Sequence, residues 1–264
     1  MELPTYDTLL VERDEQITTI AFNRPEKRNA LSPRLHREMY DLLNRLEGDD
    51  GTRVLILTGT GPAFCAGQDM KEFFHDLAHQ EAERQRVSHM ATMWRDQILR
   101  MFPKPTIAMV NGYCFGAGTA VVSACDLAIA AEDALFGIPA VNFGNIPGGM
   151  VAKAIADVLI YRDALYYCIS GEPFDGRRAA AIKFVNRAVP AARLREETWA
   201  LARTLAAKDP LALRATKEAL RQARELDQEQ AYHWLDAKSN ELRWRQERAG
   251  TVPSLDGDFL PHGP

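Results

Sequence analysis

Apolar runs and amphipathic stretches alternate along the first part of the chain. The apolar runs predict β-strands over residues 17–22, 53–58, 106–110 and 127–130. The amphipathic stretches between them predict helices, the clearest over residues 33–47 and 81–101. Strands that alternate with helices indicate an α/β fold with a parallel sheet. Unbroken apolar strands are typical of a sheet that is covered on both faces.

The pattern changes at about Ala191, after which no further strand is predicted. Three successive helices are expected there, over residues 191–208, 210–226 and 227–248. We therefore predict a core of residues 1–190 followed by a helical region of residues 191–264.

Composition and charge exclude some classes of function. The chain has 264 residues and a formal net charge of -4, which argues against a nucleic-acid surface. No apolar run approaches the roughly 18–20 residues of a membrane span, and the start of the chain does not resemble a signal peptide. We therefore expect a cytoplasmic protein with neither nucleic acid nor membrane as a partner.

The four cysteines, Cys65, Cys114, Cys125 and Cys168, are widely spaced and include no Cys-x-x-Cys pair. This spacing fits neither a zinc site nor a disulfide framework, so no metal site is predicted and a reducing compartment is expected. The cysteines are instead predicted to be small, buried apolar residues.

Three loop stretches contain residues that suit anion or oxyanion binding. Residues 23–32 follow a strand and end at a helix start, with Lys27 and Arg28 as candidate anion partners. Residues 64–70 place small residues before a helix start, which leaves backbone N–H groups unpaired. Residues 111–120 are glycine-rich and follow the strand at 106–110. Each stretch also fits a plain strand-to-helix connection.

The third stretch resembles a dinucleotide-binding fingerprint, which would indicate a different class of function. However, five residues separate the strand from Gly116, and Val121 stands where the third glycine should be. The tight strand–turn–helix that a pyrophosphate needs is therefore missing, and the nucleotide interpretation is set aside.

The three stretches together resemble the crotonase (enoyl-CoA hydratase/isomerase) superfamily, and within it the hydroxycinnamoyl-CoA hydratase-lyases. The resemblance is carried by the sequences of residues 23–30, 69–73, 104–112 and 124–129. It implies a crotonase spiral of ββα units with a C-terminal helical region that serves trimerisation and covers the active site. It also implies a homotrimer or dimer of trimers, and a coenzyme A thioester as substrate with no permanently bound cofactor.

The resemblance also implies the site residues. By motif position, the backbone N–H groups of Gln68 and Ala117 would bind the thioester oxygen as an oxyanion hole. Residues expected along the substrate or coenzyme A are Lys27, Arg28, Ala30, Ala66, Gly67, Asp69, Met70, Phe73, Gly116, Gly118, Ala120, Pro139, Ala140, Asn142 and Phe143.

The sequence departs from the family at its acid/base positions. Ala120 and Ala140 stand where the two catalytic glutamates are expected, and Phe73 and Asp236 stand where hydratase-lyases place two tyrosines. Three hypotheses stay open. In the first, the protein is a hydratase-lyase-like enzyme in which another group moves the proton, with Asp236 as first candidate and Tyr232, His233 or a water held by Asn142 and Gln68 as the others. Alternatively, it decarboxylates a malonyl-type thioester, or it binds coenzyme A as a pseudoenzyme or inactivated variant.

Overall fold

The computed structural model describes residues 2–252 of the chain. These divide into two compact units, of which the first ends at Ala207 and the second begins at Lys208. The strands of the first unit are β1 (Leu9–Asp14), β2 (Ile17–Phe22), β3 (Val54–Gly59), β4 (Ala63–Cys65), β5 (Thr106–Val110), β6 (Tyr113–Phe115), β7 (Leu127–Ala131), β8 (Leu135–Gly137), β9 (Phe174–Asp175) and β10 (Arg187–Val189). Its α-helices are α1 (Pro33–Glu47), α2 (Glu81–Thr92), α3 (Ala117–Ala124), α4 (Val151–Val158), α5 (Tyr161–Ser170), α6 (Gly176–Ala181) and α7 (Leu194–Ala206).

The strands form two sheets. The larger sheet has the order β1-β2-β3-β5-β7-β10, in which β1 and β2 are antiparallel and the later neighbours are parallel. The smaller sheet has the order β4-β6-β8-β9, in which β4–β6 and β6–β8 are parallel and β8–β9 is antiparallel. The predicted parallel sheet is therefore present, beside a second sheet of short strands that was not predicted.

From β3 to β8, consecutive strands go to different sheets, and a helical segment follows each pair. β3 and β4 precede a π-helical turn at Met70–His75, β5 and β6 precede α3, and β7 and β8 precede the 3₁₀ turn at Pro139–Phe143. In the smaller sheet, the strand of each strand–strand–helix repeat lies beside the strand of the next repeat, as β4 lies beside β6 and β6 beside β8. This is the spiral of ββα units that the resemblance implies, so the expected fold class is confirmed.

Asn111 stabilises the corners where the chain passes from one sheet to the other. Its Nδ2 donates to the carbonyl oxygens of Gly59 at 3.0 Å and Gly61 at 2.9 Å. A Cβ atom on the neighbouring Gly112 would lie 2.1 Å from the Pro62 carbonyl oxygen, so only glycine allows the two corners to pack this closely. The β3–β4 and β5–β6 corners are thereby held side by side.

Apolar residues from both sheets and from α1 and α7 form the core of the first unit. Phe22 of the larger sheet and Phe64 of the smaller sheet meet edge to face, with ring centroids 5.7 Å apart. α7 packs against β2, β3, β5 and β7, which is why the first unit extends to Ala207, beyond the last strand. The sequence boundary at residue 190 follows the change of element type instead, because β10 ends at Val189.

The second unit consists, in its described part, of α8 (Pro210–Ala223) and α9 (Gln228–Ala249), which pack on each other. Asp227 and Gln230 form a capping box at the start of α9. Lys238 of α9 pairs with Glu218 of α8. The three predicted helices after residue 191 are thus present as α7, α8 and α9. Between residues 2 and 252, no helix is long and apolar enough to cross a membrane.

Candidate active site

A cavity of about 700 Å³ lies in the first unit. Its wall is made by the turn at residues 66–68, the strand and turn at 113–117, the segment 138–151 and one face of α2. Two of the three loop stretches selected from the sequence therefore meet at this cavity. The first stretch reaches it through Arg28.

The turn that contains Gln68 is held by backbone hydrogen bonds to the first loop. Ala66 N donates to the Arg28 carbonyl at 2.9 Å, Leu31 N donates to the Gly67 carbonyl at 2.8 Å, and Asp69 N donates to the Leu31 carbonyl at 3.0 Å. Gly67 has φ +97°, which side chains rarely tolerate. No described residue accepts a hydrogen bond from the Gln68 N–H, although the Gly67 carbonyl and the Asp69 N–H on either side are both hydrogen-bonded.

The glycine-rich turn presents a second unpaired N–H group. Gly116 has φ 50° and ψ -117°, and it places Ala117 at the first position of α3. The Ala117 N–H is one of the donors that a helix start leaves without an acceptor, and none of the described residues accepts it. A Cβ on Gly67 would lie 3.4 Å from the Ala117 nitrogen, so the two turns are in close contact. Both N–H groups belong to residues that line the cavity.

A buried hydrogen-bond chain orients the Gln68 side chain. Trp94 Nε1 donates to His36 Nδ1 at 2.9 Å, so the neutral imidazole carries its proton on Nε2. His36 Nε2 then donates to Gln68 Oε1 at 3.2 Å, and Gln68 Nε2 donates to the Leu31 carbonyl at 3.0 Å. Burial lowers the pKa of His36 to about 3, so the ring stays neutral at physiological pH. His36 is therefore a structural histidine that positions Gln68.

The first loop is fixed by buried polar side chains. Arg24 donates to Asp69 Oδ2 at 3.0 Å and to the Ala30 carbonyl at 2.7 Å. Asn29 donates to the Ala63 carbonyl at 2.7 Å. Arg28 lies over the Tyr113 ring, 5.1 Å from its centroid, and both residues line the cavity.

The two positions where catalytic glutamates are expected have different surroundings. Ala140 lies in the 3₁₀ turn at Pro139–Phe143 and lines the cavity. Ala120 lies on α3, is fully buried and belongs to the apolar core. Only the methyl group at position 140 therefore stands where a longer side chain would enter the cavity.

Most residues expected along the substrate line the cavity: Arg28, Ala66, Gly67, Gln68, Met70, Phe73, Gly116, Ala117, Pro139, Ala140 and Phe143. The others are not part of its wall. Lys27 is exposed, and the Ala30 carbonyl and the Asp69 carboxylate bind the Arg24 side chain. Asn142 donates a hydrogen bond to the Gly171 carbonyl. Gly118 packs against Cys65, and Ala120 lies in the core. In the second unit, Asp236 is an exposed carboxylate that accepts a hydrogen bond from Asn240 at 3.4 Å, and its catalytic role stays a prediction.

Sequence reasoning missed the contribution of α2 and the π-helical turn Met93–Leu99 that follows it. Ser88, Thr92 and Arg95 line the cavity from this helix, with Ala91 beside them. Their spacing of four and three residues puts them on one helix face, which is a signal the sequence does contain. The amphipathic pattern of residues 81–101 predicts only the helix.

The described lining contains no carboxylate and no imidazole. Its ionisable members there are Arg28, Arg95 and Tyr113. Two nearby thiols cannot serve as nucleophiles, because burial raises the pKa of Cys65 to about 12 and that of Cys114 well above its ordinary value. The site can therefore stabilise negative charge, but its described lining offers no carboxylate or imidazole to carry a proton.

Comparisons with known proteins agree with this architecture. The sequence matches the enoyl-CoA hydratase/isomerase family over residues 12–248. A hydroxycinnamoyl-CoA hydratase-lyase of Pseudomonas fluorescens is 46% identical over 246 residues, which is 93% of this chain and 89% of that protein. The structure of an enoyl-CoA hydratase of Mycobacterium smegmatis has a TM-score of 0.82, with 28% identity over 91% of each chain. A family member from Silicibacter pomeroyi has a TM-score of 0.81, with 32% identity over 88% of this chain and 98% of that one.

Proposed function

This chain belongs to the enoyl-CoA hydratase/isomerase (crotonase) family, and we propose that it is an acyl-CoA lyase that stabilises a thioester enolate. The thioester carbonyl oxygen would accept hydrogen bonds from the backbone N–H groups of Gln68 and Ala117. As the enolate forms, negative charge develops on that oxygen. The donors are fixed in advance, so the charge is stabilised without reorganisation of the site.

One observation carries this proposal: two N–H groups without a described acceptor stand in neighbouring turns on the wall of one cavity. An unpaired N–H in such a place is costly unless water or a ligand occupies it. Each donor of an oxyanion hole is worth roughly 3–4 kcal/mol in the transition state. Two such donors supply a large part of a typical enzymatic rate enhancement.

The proton transfers need a group other than the side chains at positions 120 and 140. Ala140 lines the cavity without an ionisable group, and Ala120 is buried in the core. General acid–base catalysis is worth about 10²- to 10⁴-fold, so hydration without it should be slow. We keep Asp236 as the candidate acid/base, and water is the alternative proton carrier.

Decarboxylation of a malonyl-type thioester is the second candidate. It is favoured by the absence of carboxylates and imidazoles from the described cavity lining. When the carbon–carbon bond to the carboxylate breaks, its electron pair becomes the enolate and carbon dioxide leaves. No base is needed for this step, and the enolate carbon later takes a proton from water. The oxyanion pair alone would then suffice.

A screen of acyl-CoA thioesters followed by mass spectrometry tests the proposal. Hydration adds water across the carbon–carbon double bond of the enoyl thioester. Retro-aldol cleavage releases an aldehyde and a shorter thioester, and decarboxylation releases carbon dioxide. Any of these products supports enolate chemistry, and the product identifies the branch. Binding of coenzyme A without turnover of any thioester would contradict the proposal and favour the pseudoenzyme hypothesis.

Assembly and location also stay proposals. We propose a homotrimer or a dimer of trimers in the cytoplasm. Light scattering coupled to gel filtration would measure the mass in solution, and a monomeric mass would contradict this expectation.

A further inference from the structure

Arg95 is a buried cation in the wall of the cavity. The residue is 4% exposed and is one of the residues that line the cavity. Nε and Nη2 donate to the two oxygens of Asp96 at 2.8 and 2.7 Å, and Nη2 also donates to the Gly149 carbonyl. No described residue accepts a hydrogen bond from Nη1. The fork-shaped group is thus satisfied on two edges and open on the third.

Polar neighbours extend this open edge along the same helix face. Thr92 and Ser88 line the cavity about one and two helical turns before Arg95. Helical serines and threonines often return their hydroxyl hydrogen bond to the preceding turn. Neither of these hydroxyls bonds to a described residue, so both are available to a ligand. These three residues therefore form a polar strip on the α2 side of the cavity wall, and the strip ends in a cation.

The strip lies near the oxyanion donors. The positive charge of Arg95 adds to burial in lowering the pKa of His36, which hydrogen-bonds Gln68. The same charge partly offsets the rise that burial causes in the pKa of Cys65, two residues before Gly67. Gln68, Ala117 and Arg95 also line the same cavity, so a ligand held at the oxyanion donors would share that cavity with Arg95.

We propose that Arg95 Nη1, with the Ser88 and Thr92 hydroxyls, binds an anionic group on the acyl chain, namely a carboxylate. This inference rests on the proposed function, because it assumes an acyl-CoA ligand in this cavity. Asp96 compensates the buried charge in the empty site, so Arg95 can remain inside the protein before a ligand arrives. A carboxylate then gains charge-assisted hydrogen bonds that a neutral acyl chain of equal length cannot make.

The test measures binding without turnover. Thioether analogues of coenzyme A that carry carboxymethyl, carboxyethyl or carboxypropyl groups are compared with the carboxamides of the same length by calorimetry. These compounds lack the thioester carbonyl, so their binding does not depend on enolate chemistry. In the unmodified protein, at least one carboxylate should bind about 10- to 100-fold more tightly than its carboxamide. Arg95→Gln should remove this preference while the affinity for free coenzyme A stays unchanged.

Controls separate recognition from structural support and from phosphate binding. Arg95→Gln leaves Asp96 buried and unpaired, so the double variant Arg95→Gln/Asp96→Asn is measured in parallel, with circular dichroism to verify folding. Equal affinity for acid and amide in the unmodified protein would overturn the proposal. Equal loss for acid, amide and free coenzyme A in both variants would also overturn it, because Arg95 would then support the fold or bind a coenzyme A phosphate.

Discussion

The substitution Gly67→Ala tests whether the contact between the two turns matters for activity. Gly67 has φ +97°, and a Cβ there would lie 2.8 Å from the Phe115 carbonyl oxygen. That oxygen belongs to the backbone directly before the Gly116 turn, so it cannot move away as a flexible side chain would. Relief of the clash must shift the Gln68 turn, the Ala117 turn or both.

Two effects follow, and their magnitudes differ. A non-glycine residue in such a backbone region costs about 1–3 kcal/mol, which should appear as a lower free energy of unfolding. Displacement of one oxyanion donor costs about 10²- to 10³-fold in kcat. The variant should therefore remain folded at moderate temperature and yet lose most of its turnover.

Urea unfolding and the rate with whichever thioester the screen identifies provide the two measurements. Gly48→Ala is the matched control, because φ is -93° there and a Cβ meets nothing within 4 Å. It should change the stability by less than about 0.5 kcal/mol and leave the rate unaltered. A folded Gly67→Ala protein with unreduced kcat would refute the assignment of the two N–H groups.

Further outcomes are expected at positions elsewhere in the first unit. Ala140→Glu should raise the rate of enoyl-CoA hydration by about 10²- to 10⁴-fold, and no gain would contradict the hydratase-lyase branch. Ala120→Glu should mainly lower the melting temperature, because its carboxylate would be buried in the core. The folded-state pKa of His36, about 3, lies below its ordinary value of 6.5, so its contribution to stability is complete above pH 6.5 and is lost as the pH falls towards 3. Unfolding curves over this range should show that His36→Gln removes up to about 1.4 kcal/mol per pH unit of this dependence, and an unchanged slope would contradict the neutral assignment. Asn111→Ala should cost about 1–3 kcal/mol in urea unfolding, and unchanged stability would show that the corner hydrogen bonds contribute little.

The larger sheet could be predicted well because its strands are unbroken apolar runs. The predicted strand at residues 106–110 has the bounds of β5, and the predicted helix at 33–47 has those of α1. The strands of the smaller sheet span two or three residues each, which is too short for any periodicity to emerge. Their pairing depends on corners such as Asn111-Gly112, whose partners lie about fifty residues away in the chain.

Some features of the candidate site could likewise be predicted from the sequence, and others could not. Glycine-rich turns before helix starts are local features, so the sequence indicated loops with unpaired N–H groups, and the resemblance to the family implied Gln68 and Ala117 as the donors. The sequence also indicated that the family's glutamates are replaced by alanine at positions 120 and 140. It could not indicate that Ala140 lines a cavity while Ala120 is buried in the core.

Local chemistry thus determined the strands of the main sheet, the helix starts and the loops that leave N–H groups unpaired, because each depends on residues adjacent in the chain, whereas the two donor residues were implied by the resemblance to the family. The tertiary structure alone decided that the residues carrying these two groups line one cavity, and that Arg95 lies buried in the same wall with no described acceptor for its Nη1. Such properties depend on which distant segments pack together and on which hydrogen-bond partners that packing leaves available. A charged residue in an amphipathic helix is usually solvated, and only its burial beside the cavity distinguishes Arg95 from the other arginines of this chain.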